Sequence, residues 1–330
     1  FSLELKKLGY KKFIKLKIMT QNNQAEKKIL ITWRLMINEI QKYKKLLKKE
    51  NISYDVLHVK QYATTSDLIK IISKYDGLIC GDDQLDKKVL SKAKKLKIIS
   101  KWGTGLDSID LEFAKQKNIK VFNSPGAFTN SVADHALALM FSITRNIVHN
   151  HNDILKGNWS KRICESISEK TFGIIGYGKI GKMIKKRLSG YKVKFLINDL
   201  KKQNIKTTSK TEIFEKSDIL FLSVDLNNKS KNMLSKKEFN LMKKNLILIN
   251  VCRGQVINMD DLYIALKNRL IAAAGLDVFD HEPLMKNNKF LKLNNCIVTS
   301  HNAFNSESVI SMINKTTVSN LLNGFKNLKQ

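Results

Sequence analysis

Three side chains suited to acid–base or anion-binding chemistry each follow a short apolar stretch that is predicted to be a strand. The three pairs of stretch and side chain are Leu246–Val251 with Arg253, Ala272–Val278 with Glu282, and Cys296–Thr299 with His301. In a doubly wound sheet, ligands bind outside the carboxyl ends of the parallel strands. We therefore expect an arginine, a glutamate and a histidine along one edge of a sheet.

These three residue types suit hydride transfer between a nicotinamide and a 2-oxo acid. His301 can protonate the alkoxide that develops during reduction, or accept the hydroxyl proton in the reverse direction. Glu282 beside it would stabilise the imidazolium and fix its orientation. Arg253 can hold a carboxylate and polarise a carbonyl with its guanidinium fork. Each residue alone has an ordinary explanation as a loop residue, but the three in register with a dinucleotide-binding motif indicate catalysis.

That motif is a glycine-rich loop between a predicted strand and a predicted helix. The strand Phe172–Ile175 is followed by Gly176, Tyr177, Gly178, Lys179, Ile180 and Gly181, and then by the helix Lys182–Ser189. Gly176 permits a tight turn, Gly178 lets the backbone approach a pyrophosphate at the helix N-terminus, and Gly181 permits close packing of helix on strand.

An acidic residue at the end of the next predicted strand, Val193–Ile197, completes the motif. Asp199 lies 21 residues beyond Gly178 (199 − 178), where a carboxylate can accept hydrogen bonds from the adenosine ribose hydroxyls. Because a carboxylate repels a 2′-phosphate, Asp199 favours NAD over NADP. Lys201 and Lys202 lie close by and could soften that preference.

The rest of the chain alternates short apolar strands with amphipathic helices, which predicts βαβ units and parallel sheets. Before the clearest break, Ser124-Pro125-Gly126, the predicted elements are strand Ile29–Thr32, helix Asn38–Glu50, strand Tyr54–Val59, helix Thr65–Tyr75, strand Gly77–Cys80, helix Asp86–Ala93, and strands Leu96–Ser100 and Lys120–Asn123. A long helix, about Val132–Asn146, follows the break. The alternation restarts at Thr171, and a last helix is predicted over Ser306–Asn323.

Composition narrows the class of protein. A chain of 330 residues corresponds to about two domains. The 59 basic and 29 acidic residues give a net charge of +30, which raises the possibility of nucleic-acid binding. The basic residues are mostly lysines spread along the chain, without an arginine-rich or aromatic-interleaved tract, so we expect no specific nucleic-acid partner.

The sequence has no pattern typical of disulfides, metal sites or membrane spans, which indicates a reduced, aqueous compartment. The four cysteines are far apart and the six histidines have no metal-ligand spacing, so we expect free thiols and no metal. No apolar run is long enough to span a bilayer, so we expect a soluble cytoplasmic protein with no membrane association. Residues 1–18 are rich in lysine and precede Met19, so we expect them to be a non-native extension whose deletion leaves folding and activity intact.

With these motifs in hand, the chain resembles the D-isomer-specific 2-hydroxyacid dehydrogenase family, and within it the short phosphoglycerate dehydrogenases. The resemblance runs from about residue 28 to 315 and is densest at Lys101–Asp107, Asn123–Gly126, Val132–His135, Gly176–Gly181, Asn250–Gly254, Gly275–Pro283 and Thr299–Ala303. It implies two doubly wound parallel-sheet α/β domains. The inner, Rossmann-type NAD domain would comprise 125–301, and the outer, flavodoxin-like substrate domain would comprise 1–124 completed by 302–330.

The resemblance also implies roles for particular residues. Arg253, Glu282 and His301 would be catalytic. Backbone N–H groups around Gly103, Thr104 and Gly105 would bind the substrate carboxylate, and Asp277 would contact the nicotinamide carboxamide. The inner domain would form a homodimer.

The substrate is open at this stage. The first expectation is 3-phospho-D-glycerate, oxidised to 3-phosphohydroxypyruvate in serine synthesis, with Lys101 binding the phosphate as a point charge. Phosphoglycerate enzymes often have arginines where this chain has Lys101 and Gly81, and Gly81 cannot bind a phosphate through a side chain. A reductase of hydroxypyruvate, glyoxylate or another 2-oxo acid is the alternative within the class, and a non-catalytic NAD-sensing binding protein is the alternative outside it.

Overall fold

The computed structural model describes residues 18–21, 26–201 and 204–328, and the side chains from residue 26 onward. The chain divides into two compact units. The first is made of the chain up to Ser124 together with the chain from Met312, and the second is Pro125–Ser311. The predicted extension, residues 1–18, lies outside the described residues except for its last residue, which begins a strand.

The first unit is built on a six-stranded sheet with helices between the strands. Its strands are β1 (Ile18–Gln21), β2 (Lys27–Ile31), β3 (Ile52–Leu57), β4 (Gly77–Cys80), β5 (Ile98–Lys101) and β6 (Lys120–Phe122). Its helices are α1 (Arg34–Glu39), α2 (Lys44–Lys49), α3 (Thr65–Ile69), α4 (Lys87–Lys92) and α5 (Leu111–Gln116), and it also includes α12 (Glu307–Lys326) from Met312 onward.

The strand order of this sheet is β1-β3-β2-β4-β5-β6. The five strands from β2 to β6 are parallel, and their order is the flavodoxin-like one, which confirms that part of the fold prediction. The edge strand β1 is antiparallel to β3 and was not predicted, because the polar stretch before Ile29 carries no apolar alternation.

The helical bounds of the first unit differ from the predictions in two places. The predicted helix Thr65–Tyr75 is α3 followed by a 3-10 turn at Ile72–Lys74. The predicted helix Asn38–Glu50 is two short helices, α1 and α2, joined by a tight 3-10 turn at Ile40–Tyr43. The buried residues Met36, Ile40 and Leu47 keep one apolar face through the turn. Since the face is continuous while the backbone tightens, the apolar spacing alone could not reveal the break.

The second unit is also a six-stranded sheet with helices on both faces. Its strands are β7 (Thr171–Ile175), β8 (Lys194–Asn198), β9 (Ile219–Leu222), β10 (Ile247–Asn250), β11 (Ala273–Leu276) and β12 (Cys296–Val298). Its helices are α6 (Thr129–Thr144), α7 (Ile147–Leu155), α8 (Lys179–Leu188), α9 (Lys210–Lys216), α10 (Lys236–Phe239) and α11 (Met259–Lys267).

All neighbouring strands of this second sheet are parallel, in the order β12-β11-β10-β9-β7-β8. The order reverses at β7, which leads into the glycine-rich loop, so the loop lies at the switch point where dinucleotides bind. The predicted Rossmann-type domain is confirmed. An apolar cluster covers each face of the sheet. One cluster includes Leu220, Leu248 and Leu276, and the other includes Ile174 and Phe221.

The helix α7 was not predicted. The helix α6 ends at Thr144, and Asn146, which has a left-handed conformation with a φ of 51°, caps the start of α7. Asparagine adopts this conformation more readily than most residues. None of the described residues of α7 is buried, so it lacks the core-facing stripe on which a sequence-based prediction depends.

Candidate active site

The glycine-rich loop has the geometry that a pyrophosphate needs. Gly176 has a φ of +93°, and a Cβ there would lie 2.4 Å from the carbonyl oxygen of Ser223. A Cβ on Gly181 would lie 2.2 Å from the carbonyl oxygen of Gly176, whereas a Cβ on Gly178 would have no described atom within 4 Å. The helix α8 begins at Lys179, earlier than predicted, so its first N–H groups lie within the loop itself. The loop therefore fits a dinucleotide whose phosphates rest on the start of α8.

Asp199 follows the end of β8 and is tied to this loop. One carboxylate oxygen accepts a hydrogen bond of 2.5 Å from the backbone N–H of Tyr177, and the other accepts one of 2.7 Å from the N–H of Lys201. The carboxylate thus orders the glycine-rich loop, and its contact with a ribose remains a prediction. Lys179 Nζ donates to the carbonyl of Pro125 at 3.2 Å, and Ile180 packs against one of the apolar clusters.

The side chain of Arg253 follows β10 on a loop held by Asn250. The Asn250 side chain accepts from the N–H and the thiol of Cys252, each at 3.1 Å, and donates to the carbonyl of Arg253 at 3.0 Å. Burial raises the pKa of the Cys252 thiol to about 11, so the thiol is a neutral donor. The guanidinium of Arg253 donates to the carbonyl of Cys252 at 2.8 Å.

Gly254 lets the loop after β10 lie directly on the loop after β11. A Cβ on Gly254 would come within 1.9 Å of the carbonyl carbon of Phe279, a backbone atom that cannot rotate away. In the same contact, the Gln255 amide donates to the carbonyl of Asp280 at 3.0 Å. The Arg253 loop is therefore packed on the loop that carries Glu282.

Glu282 and His301 are in direct contact. His301 Nδ1 lies 2.7 Å from one carboxylate oxygen of Glu282, and the other oxygen accepts a hydrogen bond of 2.9 Å from the backbone N–H of Phe279. Both side chains are about four-fifths buried. A carboxylate on Nδ1 fixes the orientation of the imidazole and directs Nε2 away from Glu282.

Asp277 lies at the end of β11 and is only 1% exposed. Its carboxylate accepts three hydrogen bonds, from the Thr299 hydroxyl at 2.6 Å, the Asn302 N–H at 2.8 Å and the Ala303 N–H at 2.9 Å, and His135 Nε2 lies 3.3 Å from the same carboxylate. Burial alone would raise the pKa of Asp277, but these hydrogen bonds outweigh it and hold the pKa below its ordinary value. The structure therefore gives Asp277 a role inside the chain, and its contact with a nicotinamide remains a prediction.

The predicted substrate loop is in the first unit, at the carboxyl end of β5. Gly103 has a φ of +132°, and its carbonyl accepts from the N–H of Ser124 at 2.8 Å. The Thr104 hydroxyl donates to the carbonyl of Ser124 at 3.1 Å, and the carbonyl of Thr104 accepts from the Asn123 amide at 2.7 Å. Gly105 follows in the same loop and is half-buried. These hydrogen bonds hold the loop against Asn123 and Ser124, where the first segment of this unit ends.

Lys101 differs from what we expected. Its side chain is 2% exposed, and Nζ lies 2.5 Å from both the carbonyl oxygen of Gly81 and a carboxylate oxygen of Asp82. A lysine that is buried and paired in this way is not a solvent-accessible point charge for a phosphate. The sequence did not reveal the pair, because Asp82 lies 19 residues away in the loop after the neighbouring strand.

Two residues of the second unit were missed by the sequence analysis. Asn250 is fully buried and orders the Arg253 loop, and His135 of α6 contacts Thr299 and Asp277. A polar residue at the end of an apolar strand was a usable signal for Asn250. His135 offered only a single polar residue on an otherwise apolar helix face. Within the described residues, no group of three or more His, Cys, Asp or Glu is arranged to hold a metal ion.

The second unit thus brings a dinucleotide loop and the Arg253, Glu282 and His301 side chains to the carboxyl edge of one parallel sheet, which defines a nicotinamide-dependent oxidoreductase domain. Comparison with known proteins agrees. Residues 137–303 match the profile of "D-isomer specific 2-hydroxyacid dehydrogenase, NAD binding domain". The chain belongs to the D-isomer specific 2-hydroxyacid dehydrogenase family. It binds NAD and has D-2-hydroxyacid dehydrogenase activity.

Three relatives illustrate the range of the family. A glyoxylate reductase of Pyrococcus horikoshii is 34% identical over 251 residues, which are 71% of this chain and 75% of the relative. A D-3-phosphoglycerate dehydrogenase of Archaeoglobus fulgidus is 31% identical over 281 residues, 81% of this chain and 53% of that protein. The structure of D-lactate dehydrogenase from Aquifex aeolicus, complexed with NAD and lactic acid, superposes with a TM-score of 0.82 at 26% identity and covers 91% of this chain and 95% of that one.

None of the helices among the described residues is both long and apolar enough to cross a membrane.

Proposed function

We propose that the protein interconverts a D-2-hydroxy acid and its 2-oxo acid with NAD, using Arg253, Glu282 and His301 as the catalytic residues. The observation that carries this assignment is the 2.7 Å contact between His301 Nδ1 and Glu282 at the ends of adjacent parallel strands. In the register of β10, β11 and β12, residues Asn250, Leu276 and Val298 lie side by side, so the loops that follow start from one line.

The reaction follows from the chemistry of these side chains. NADH, held at the Gly176–Gly181 loop, would supply the hydride for the 2-oxo carbon. His301, protonated and oriented by Glu282, delivers a proton from Nε2 to the carbonyl oxygen as negative charge develops there. Arg253 binds the substrate carboxylate and polarises the carbonyl. In the oxidation direction, His301 accepts the hydroxyl proton, so the neutral imidazole is the working form.

For the substrate, we propose a small unphosphorylated 2-oxo acid such as glyoxylate or hydroxypyruvate. The pairing of Lys101 with Asp82 supports this, since the cation that would have bound a phosphate already has an anionic partner. The similarity to a glyoxylate reductase points the same way. We assign carboxylate binding in the first unit to the backbone of Gly103, Thr104 and Gly105.

A second candidate substrate is 3-phospho-D-glycerate, which would link the enzyme to serine synthesis. The similarity to a phosphoglycerate dehydrogenase favours it. The Lys101 side chain would then have to leave Asp82 to bind the phosphate. A non-catalytic NAD sensor is less well supported, because such a protein has no need of an oriented histidine–glutamate pair.

We also propose that the protein is a cytoplasmic homodimer that assembles through the second unit. An exposed apolar surface supports this assembly. It is formed by Ile147, Ile154 and Leu155 of α7 with Trp159, 85% exposed, and Ile163, 94% exposed. Apolar surfaces of this kind mark interaction sites, and a second copy of the chain would cover it.

The substrate assignment is tested by NADH oxidation with glyoxylate, hydroxypyruvate, pyruvate and 3-phosphohydroxypyruvate. We expect kcat/KM to be highest for an unphosphorylated acid, and we expect Asp82→Asn, which removes the carboxylate in direct contact with Lys101, to improve the phosphorylated substrate selectively. The matched control is Glu112→Gln, an exposed carboxylate of the same unit. A wild-type preference for 3-phosphohydroxypyruvate would reject the first substrate and support the second.

A further inference from the structure

We propose that His135 is a positioning residue for the reaction, acting through Asp277 on the backbone that presents His301. This inference rests on the proposed role of His301 as the proton donor. It assigns a function to a helix residue that does not itself meet the substrate.

The first step is the way Asp277 holds the chain after β12. Its backbone carbonyl accepts the N–H of His301 at 2.8 Å, and its two carboxylate oxygens accept the N–H groups of Asn302 and Ala303 at 2.8 and 2.9 Å. Three consecutive backbone N–H groups therefore donate to one residue. Asp277 is a clamp on the segment that carries the histidine.

The second step is that this segment needs a clamp. His301 has a φ of +52°, in the left-handed region that residues other than glycine rarely adopt. Such a conformation persists only when the surrounding contacts over-determine it. The three N–H groups held by Asp277 are the contacts that do so, and the conformation they hold directs the imidazole ring toward Glu282.

The third step connects His135 to the clamp. His135 Nε2 lies 3.0 Å from the Thr299 hydroxyl oxygen and 3.3 Å from Asp277 Oδ1. The Thr299 hydroxyl directs its own hydrogen to Asp277 at 2.6 Å, so its oxygen can only accept from His135. Both partners of Nε2 are then acceptors, and the hydrogen-bond network assigns the proton to that nitrogen. His135 therefore donates to the Thr299 hydroxyl and directs the same N–H toward the carboxylate that this hydroxyl supports.

The position of His135 on α6 agrees with this role. Its helical neighbours Val132, Ala136 and Leu139 are buried apolar residues of the core, whereas His135 lies where α6 passes the ends of β11 and β12. A buried carboxylate is stable in its charged form only when enough donors surround it. Removing the His135 donor makes the ionised form of Asp277 less stable. It thereby weakens the hydrogen bonds that Asp277 accepts from the N–H groups of Asn302 and Ala303.

The test compares His135→Leu, which removes the donor at similar volume, with His135→Gln, whose amide can donate from nearly the same place. We expect His135→Leu to lower kcat for 2-oxo acid reduction between about tenfold and a hundredfold, as misplaced catalytic groups do. The Kd for NADH, followed by fluorescence, should stay within about twofold of wild type, and His135→Gln should recover most of kcat. A kcat for His135→Leu within twofold of wild type, or no difference between the Leu and Gln variants, would overturn the inference.

If His135→Leu does not fold, the hydroxyl bridge provides the same test. Thr299→Val removes the hydroxyl and Thr299→Ser keeps it, so kcat should fall about tenfold or more for valine only. Equal activities of the two would reject the inference. A His301→Asn variant distinguishes this outcome from failure of the proposed function: full activity of His301→Asn rejects the assignment of the proton donor, whereas the His135 and Thr299 results bear on the clamp alone.

Discussion

At the scale of single residues, His301 is held from two sides. Glu282 contacts its ring through Nδ1, and Asp277 holds its backbone and that of the next two residues. A group that exchanges a proton during a hydride transfer must keep one orientation through the reaction, because proton transfer requires hydrogen-bond geometry. Two carboxylates with different partners provide this, one acting on the side chain and the other on the main chain.

The carboxylate of Asp277 should stabilise the fold in a pH-dependent way. Replacing it by Asp277→Asn puts an amide against backbone N–H groups that need an acceptor, which we expect to lower the free energy of unfolding by about 1–3 kcal/mol at pH 7. The pKa of Asp277 is lowered in the folded chain, so its contribution is complete above the ordinary value of 3.8 and is lost as pH falls through the folded-state pKa.

Urea unfolding of wild type and Asp277→Asn between pH 8 and pH 3.5 checks this expectation. The difference between them should be constant down to about pH 5 and narrow only at more acidic pH. Glu215→Gln, at an exposed carboxylate of the same unit, is the control and should change stability little at any pH. A difference that already shrinks between pH 8 and 6 would mean that another group supplies the pH dependence.

The candidate functional residues could be predicted from the sequence where each follows the end of a single strand. Arg253, Glu282 and His301 each follow an apolar strand, and that placement needs no knowledge of the partner strands. The pairing of Lys101 with Asp82 and the contact of His135 with Asp277 join residues that only the packed sheet and helix bring together. Their chemistry depends on three-dimensional neighbours, so the sequence indicated a phosphate site at Lys101 and no role for His135.

At the scale of elements, the loops after β10 and β11 form one packed layer. Gly254 allows this, since its missing side chain leaves room for the backbone at Phe279 and Asp280. The layer fixes the distance between the loop that bears Arg253 and the loop that bears Glu282. A glycine at this point is therefore required by the close packing of the two loops.

Gly254→Ala should separate these two loops. The added Cβ would lie 1.9 Å from a backbone carbon, so the loops must move apart, at a cost of about 1–3 kcal/mol or more. We expect a lower Tm and a kcat reduced at least tenfold, with NADH binding retained. The matched control is Gly190→Ala, because a Cβ there has no described atom within 4 Å. If Gly254→Ala matched the control in both Tm and kcat, the close packing of the loops would not matter for catalysis.

The elements themselves were largely predictable where burial imposes a pattern. The strand Gly77–Cys80 has the predicted bounds, and the other predicted strands agree to within two residues. The elements β1 and α7, which were missed, lack that pattern. The strand β1 is an edge strand of polar sequence, and α7 has an apolar face that is exposed within the described chain.

At the scale of the whole molecule, the two units have separate tasks. The second contains the NAD loop and the three proposed catalytic residues, and the first contains the loop at Gly103–Gly105 that we assign to the substrate carboxylate. The flavodoxin-like and Rossmann-type strand orders place both sets at the carboxyl edges of their sheets.

The exposed apolar surface around α7 predicts the state of assembly. We expect the wild-type protein to sediment as a dimer at micromolar concentration, and the double variant Trp159→Ser with Ile163→Ser to sediment as a monomer. Both residues are almost fully exposed, so their replacement should leave the fold of the second unit intact. Leu291→Ser, at another exposed apolar residue of this unit, is the control and should remain dimeric. A wild-type monomer would refute the homodimer, and a dimer unaffected by the double variant would place its interface elsewhere.

The most direct test of the central claim is the turnover of His301→Asn. NADH oxidation with the best 2-oxo acid should fall by about 100- to 10,000-fold, the usual contribution of a positioned acid. The Kd for NADH should stay near the wild-type value, and Glu282→Gln should show a smaller loss because it removes only the group that orients the imidazole. If His301→Asn kept turnover within tenfold of wild type while binding NADH normally, His301 would not be the proton donor.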